Sequence, residues 1–220
     1  MAEQTGEWLV LLAKRPERGR SKTRLARDVG DEDAARLAKA FLLDTLALCA
    51  EHPARFLVAY APTEGREWFA EHAPTAALTA QPEAEFDERV VHALRSAFER
   101  GASRCVILGM DTPQLELSTI TSAFRALDDH DVCLGPSEDG GYYLLGLREL
   151  EPALFEDIAW STSSVLSTTL ERARERDLTV ALLEPERDVD DVQDLAALRE
   201  TLNRRPNVAI RTRSELDRLG

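Results

Sequence analysis

Cys105–Leu115, CVILGMDTPQL, is the stretch that decides the fold. It opens with four apolar residues, Cys105 to Leu108, and no polar residue interrupts them. A strand covered on both faces of a sheet reads this way, so the run predicts a central parallel strand. It ends at Gly109 and passes at once to Asp111, ahead of Thr112 and Pro113. A carboxylate there projects from the sheet edge into the crevice where open α/β sheets bind ligands. The structural alternative is an ordinary turn aspartate before proline.

On both sides of this run, strand-like segments alternate with helical ones. Trp8 to Ala13, Phe56 to Ala61, a weak run at Ala76 to Ala80, and Val132 to Leu134 read as strands. Tyr142 to Leu147 turns back as a strand after GPSEDGG, and Thr179 to Leu183 is expected as the last core strand. Helices are expected from Asp31 or Asp33 to Glu51, where Leu37, Phe41, Leu42, Leu46 and Leu48 form an apolar stripe. Others are expected over Thr63 to His72, Phe86 to Arg100, Ser118 to Asp129, Ser163 to Arg176, and Asp190 or Asp191 to Leu202. The alternation predicts an α/β chain: a single domain in three layers, α/β/α, around an open and mostly parallel sheet. The chain has 220 residues, enough for one such domain. The polar stretch after Pro206 is expected to pack loosely.

The unusual motifs all follow strands, and the first is the most highly charged. Ala13 to Leu25, AKRPERGRSKTRL, carries six basic residues (Lys14, Arg15, Arg18, Arg20, Lys22, Arg24) and one acid, Glu17. Its charge of +5 lies in a chain of net −13, which leaves −18 for the rest. The chain has only three lysines, Lys14, Lys22 and Lys39, and two lie here. A compact ammonium and planar guanidinium groups at a strand-to-helix turn suit phosphate groups. Lys14, Gly19, Lys22, Thr23 and Arg24 are therefore the candidates for phosphate binding, with Gly19 supplying flexibility. The spacing of Gly19 and Lys22 does not fit the nucleoside-triphosphate loop with glycine five residues before a Gly-Lys pair.

Carboxylates answer this positive loop. Asp188 and Asp190 are two apart after the last strand, on one side if that segment is extended. Together with Asp111 they would offer hard oxygen donors to Mg²⁺ or Mn²⁺, the expected cofactor. Asp191 and Asp194 read instead as caps of the following helix. In GPSEDGG, Gly140 and Gly141 let a backbone approach a ligand closely, or else form a hairpin turn. Glu138 and Asp139 precede them and read as a general base or as acceptor contacts; Asp139 and Lys22 are the candidate catalytic residues. Tyr142 and Tyr143 point to opposite faces if extended, so at most one is expected in the pocket. Trp160, in AWSTSS, either stacks on a sugar or base or fills the core.

Composition excludes several classes. The acidity disfavours a nucleic-acid partner, because phosphate-tracking surfaces are basic. No apolar run approaches the length of a membrane span, and no membrane partner is expected. MAEQTGEWLV lacks the basic-then-apolar order of a secretory signal, so a cytoplasmic location is expected. Cys49, Cys105 and Cys133 read as reduced, buried thiols, and the four histidines lack zinc-ligand spacing.

These motifs also form a familiar series. A strand ending in AKxPxxGxxKTRLA, then GxDTPxL, GPxxDGGYYLxGL, WST and DVDxxxDL resembles the nucleotide-diphospho-sugar transferases of glycosyltransferase-A fold. The subgroup is the one associated with radical-SAM and selenodomain proteins, to whose name arsenosugar biosynthesis has been attached. The resemblance covers about Leu9 to Leu198. A more distant similarity runs to 2-phospholactate guanylyltransferase and the molybdenum-cofactor nucleotidyltransferases. It implies that Asp111 and Asp190 bind the metal, and Lys22 and Arg24 the phosphates. Asp191-Val192 departs from the usual Thr-Pro, and PEAEFDER lacks a frequent glycine before its acid-arginine pair. The second departure leaves Asp87 to Arg89 with no ligand role carried over.

The resemblance implies a Rossmann-like transferase domain over residues 1–205, followed by a polar tail at 206–220. It implies a nucleotide-activated donor and a small-molecule acceptor, with the oligomeric state open. Transfer of a sugar from a nucleotide-diphosphate-sugar is the first expectation. The alternative is a nucleotidyltransferase, which joins a nucleoside triphosphate to a phosphorylated small molecule and releases pyrophosphate. The density of positive charge in the loop favours that alternative.

Overall fold

The computed structural model describes residues 6–220. The reading of the extreme N-terminus as lacking a secretory signal therefore lies partly outside the described residues. Seven strands form one sheet in the order β3-β2-β1-β4-β6-β5-β7. They are β1 (Glu7–Lys14), β2 (Arg55–Ala61), β3 (Ala77–Ala80), β4 (Arg104–Leu108), β5 (Val132–Pro136), β6 (Tyr142–Leu147) and β7 (Val180–Leu182). The CVIL run is the core of β4, at the middle of the sheet. β4 pairs parallel with β1, Trp8 opposite Cys105, and antiparallel with β6, Cys105 opposite Leu147. Only β6 runs against the others, because the tight GPSEDGG turn sends the chain straight back along β5.

Helices cover both faces: α1 (Ala26–Val29), α2 (Asp31–Glu51), α3 (Arg66–His72), α4 (Phe86–Phe98), α5 (Leu117–Asp129), α6 (Val165–Glu175), α7 (Val192–Arg204) and α8 (Ile210–Leu219). One core layer packs α2 and α5 against the sheet through Leu42, Leu46, Ile120 and Phe124, with Leu9 and Leu11 from β1. The other uses Trp8 and Val10 of the same strand, with Val90 and Leu94 of α4 and Ala173 of α6. This split is the period-2 alternation of a strand buried on both sides. The fold is the three-layer α/β/α domain that the motif order implies, and among the described residues no helix is long and apolar enough to cross a membrane.

The structure corrects the sequence reading at two places. β7 is an edge strand of three residues, with Leu182 55% exposed, rather than a core strand. The stretch after Pro206 does not pack loosely. It forms α8, which lies on α2, with Thr212 and Leu216 buried. Asp44 of α2 makes this possible. Its buried carboxylate accepts from the backbone N–H groups of Arg211 (3.1 Å) and Thr212 (2.8 Å), which the first turn of a helix leaves without internal partners. Under α8 lies a third apolar cluster that includes Leu25, Leu37, Phe41, Leu198 and Leu216.

Candidate active site

The loop after β1, the ends of β4 and β5, and the segment after β7 meet at one edge of the sheet. Lys22 lies at the centre of this edge. Its side chain is only 7% exposed, and its Nζ stands 2.7 Å from Asp111 Oδ1 and 2.9 Å from Asp190 Oδ1. Three residues brought together over a separation of 168 positions thus form a carboxylate–ammonium–carboxylate bridge. Burial by itself would lower the lysine's pKa. The two carboxylates outweigh it, and the net shift is upward, so the group is held as a cation. Lys22 also has φ of +47°, in the left-handed region that few side chains adopt, as local strain at a site often shows.

Arg24 adds a longer contact, Nη1 to Asp190 Oδ2 at 3.5 Å, and is mostly exposed. Glu17 folds the loop back on itself: it pairs with Arg15 at 2.6 Å and Arg20 at 3.3 Å, and its N–H donates to Ser21 Oγ. Gly19, at φ +73°, makes that fold possible. A shallow cleft of about 310 Å³ runs between this loop and the site, bordered by Lys14, Lys22, Thr23, Arg24, Asp111 and Asp190.

Asp188 takes a different part. Its two oxygens accept from Thr112 Oγ1 (2.6 Å) and Ser137 Oγ (2.8 Å). Burial raises its pKa, the two hydroxyls oppose that rise, and nearby Asp111 and Asp139 add to it. The Val189 N–H donates to the Asp111 carbonyl (2.9 Å) and fixes the segment across the end of β4. Among the described residues no three His, Cys, Asp or Glu side chains converge as a metal-holding group. Asp188 instead ties the GMDTP turn to the GPSEDGG turn.

A second, deeper cleft of about 420 Å³ adjoins the first and shares Lys14, Met110 and Asp111 with it. Asp139 and Gly141 border it. Asp139 Oδ1 accepts from the Gly141 N–H (2.9 Å), which fixes the carboxylate and leaves its other oxygen without a donor among the described residues. Gly140, at φ +91°, lies against the start of α6: a Cβ there would stand 2.3 Å from the Ser163 carbonyl oxygen. Gly140 is therefore packed too tightly for a side chain of its own and touches the chain beside Trp160. Tyr142 and Tyr143 do lie in opposite core layers, yet both border the cleft, because it straddles the end of β6.

Three cleft residues escaped sequence reasoning. Gln81, just past β3, donates its amide to the Ala13 carbonyl (3.0 Å) and the Ala59 carbonyl (2.7 Å), which orients its own oxygen away from them. Phe86 and Arg89 begin α4 and line the same space. A lone glutamine carries no periodic signal, and Phe86 and Arg89 sit in the stretch that departs from the family pattern.

An open α/β sheet with a basic loop, facing carboxylates and a divided cleft at its carboxyl edge is the arrangement of the nucleotide-diphospho-sugar transferase fold. The chain belongs to the family described as "Uncharacterized protein conserved in bacteria (DUF2064)", which it matches over residues 42–162. It is similar to a crystal structure from Desulfovibrio desulfuricans G20, provisionally named a nucleotide-diphospho-sugar transferase, with TM-score 0.90 and 32% identity over 98% of this chain and 96% of that one. The fold alone is shared with the inositol-1-phosphate CTP transferase from T. maritima, at TM-score 0.59 and 14% identity over 93% and 98% of the two chains. It is likewise shared with a CMP:2-keto-3-deoxy-manno-octonic acid synthetase complexed with CTP, at TM-score 0.57 and 12% identity over 90% and 99%. No curated protein matches the chain.

Proposed function

We propose that the protein is a transferase that takes a nucleotide-activated donor, and that it moves a sugar from a nucleotide-diphosphate-sugar to a small acceptor. The observation that carries this reading is the Lys22 ammonium between Asp111 and Asp190, beside a loop of +5 charge. A buried cation bridging two carboxylates marks a point where positive charge is held by oxygen donors. Two carboxylates together with donor phosphates are what Mg²⁺ or Mn²⁺ takes, so the residues fit such an ion. Asp111 and Asp190 would hold it, and when bound it neutralises charge on the departing diphosphate.

The chain's own residues account for the rest. Lys14, Lys22 and Arg24 bind the donor phosphates, with Thr23 beside them and Gly19 letting the loop close. Gln81 presents a fixed acceptor oxygen to the nucleoside. Asp139, oriented by Gly141 N–H, takes the proton from the acceptor hydroxyl. The freed oxygen attacks the sugar's anomeric carbon, the bond from that carbon to the phosphate oxygen breaks, and the nucleoside diphosphate leaves. Gly141 brings backbone close to the reacting groups, Gly140 seats that turn against Ser163, and Asp188 keeps the Asp111 and Asp139 turns together.

A second reading has its own support. The six basic residues of the loop suffice for a triphosphate, and nucleotidyl transfer would then release pyrophosphate. The two are separated by product. Incubation with nucleotide sugars and acceptors should release nucleoside diphosphate, and no pyrophosphate should appear with nucleoside triphosphates and sugar phosphates. The reverse result selects nucleotidyl transfer. For either reading, Asp111→Asn should weaken nucleotide binding in Mg²⁺ roughly tenfold or more, since a charged contact is worth about 1.5–3 kcal/mol. Equal affinity in the variant and in EDTA would remove both.

A further inference from the structure

We infer that the wall formed by Phe86, Arg89, Tyr142 and Trp160 is the acceptor subsite, and that it takes a small molecule bearing a carboxylate or phosphate on a compact ring. This rests on the transferase reading above and adds the chemical class of the acceptor. Four observations meet on that wall. The Arg89 guanidinium lies 5.5 Å from the centre of the Phe86 ring and has no carboxylate partner among the described residues, in a chain with forty acids. Arg89 Nε and Trp160 Nε1 are both shut from water and lack any hydrogen-bond partner. The Phe86 ring stands edge-on to Trp160 at 4.7 Å, with Tyr142 at 6.3 Å on the indole, and Phe86 is one of three large apolar residues exposed among those described. Ser161, next to Trp160, is held at φ +63°.

Each observation limits the ligand. An N–H with neither water nor protein to accept from it costs more than a hydrogen bond returns, so two together call for an outside acceptor. Both side chains line the cleft. Both are donors, so the ligand must bring oxygens, and the guanidinium selects charged ones. The aromatic faces call for an apolar or ring-shaped body. A cationic ligand, which aromatic rings alone would welcome, is repelled by Arg89. Backbone strain of the Ser161 kind gathers at ligand sites. Asp111, Asp139 and Asp188 also border the cleft. Lys22 neutralises Asp111, and Thr112 and Ser137 enclose Asp188. Asp139 is left as the negative group facing the acceptor, where the proton is to be taken.

The test is calorimetric titration of the nucleotide-free protein with glucose 1-phosphate, glucuronate, glucose and inorganic phosphate, beside a titration with Mg²⁺ and nucleoside diphosphate. Glucose 1-phosphate or glucuronate should bind saturably, with glucose and inorganic phosphate roughly tenfold weaker or more. The two anionic sugars distinguish phosphate from carboxylate as the recognised group. Arg89→Met should abolish the preference for the anion, Arg89→Lys should restore part of it, and Trp160→Phe should weaken both anionic sugars. Nucleotide affinity should be unchanged in all three, and melting curves check that they fold. The proposal is overturned if neither anionic sugar binds, if inorganic phosphate binds as well as they do, or if Arg89→Met leaves the preference intact. It is overturned equally if Arg89→Met weakens nucleotide as much as sugar, since Arg89 would then serve the donor. Loss of nucleotide binding by the wild-type protein would sink the transferase reading alone, because the sugar titrations stand without it.

Discussion

Lys22 is the residue on which the two halves of the site depend, and its removal should be felt by phosphates first. Lys22→Ala should weaken nucleoside diphosphate or triphosphate binding by roughly tenfold or more and leave nucleoside binding nearly unchanged. Equal losses would mean that the substitution disturbed the fold, since it also leaves Asp111 and Asp190 facing each other without a cation. Gly140 makes a different kind of prediction. At φ +91° and pressed on the Ser163 carbonyl, it has no room for a methyl group. Gly140→Ala should cost roughly 1–3 kcal/mol from backbone strain alone, read by denaturant unfolding, and more from the clash. The sequence displays both residues openly, one through the charge around it and the other through paired glycines. Gln81 and Arg89 could not be read that way. Their parts come from where β3 and α4 deliver them, and a single glutamine or arginine announces nothing about its neighbours in space.

Most of the elements were legible because strands and helices here keep clean periods. The departures come where tertiary contacts, not local pattern, decide. α8 escaped because it is polar on most sides, and its place is set by tertiary contacts: Leu216 in the third apolar cluster and the Asp44 carboxylate of α2 at its first turn. Asp44→Ala should cost about 2 kcal/mol by leaving two backbone N–H groups and Arg211 without their charged acceptor, and proteolysis should then begin after Pro206. A wild-type rate of cleavage there would contradict this account. β7 reads as a core strand because its three residues are apolar, yet among the described residues no strand pairs with its outer edge. A clasp at its start holds it: the hydroxyl and the N–H of Thr179 both donate to Asp131 Oδ2, at 2.6 and 2.9 Å. The hydroxyl first, and then the N–H, hold the Asp131 carboxyl below its ordinary range. A lowered pKa means that the folded state favours the charged form. Its contribution is complete above the usual aspartate range, about 3.9, and is lost as pH falls through the lowered value. Asp131→Asn should therefore lower stability at neutral pH by a small amount and have no effect in strong acid. A loss that persists in acid would point to packing instead.

Across the whole molecule, the sheet edge was predictable because four motifs followed four strands, and only one composite site can result when those strands share a sheet. The carboxylate geometry was not. Spacing alone made Asp188 and Asp190 equivalents, whereas the fold encloses one beneath two hydroxyls and leaves the other beside Lys22. The bridge at Lys22 has a consequence for the idle protein. A chain of net −13 with converging acids would be expected to collect stray divalent ions, yet this one carries a tethered counter-ion of its own in that place. An ammonium and a metal cannot both occupy the gap, so the lysine has to vacate it, and donor phosphates are what could draw it away. Mn²⁺ titrated alone, followed by its electron paramagnetic resonance signal, should bind wild type poorly and Lys22→Met several-fold better, while nucleotide should raise the wild-type affinity. Equal binding by both proteins would show that the lysine guards nothing. On the proposed function, the resting protein would be insulated from its ionic surroundings until the donor arrived to draw the lysine away.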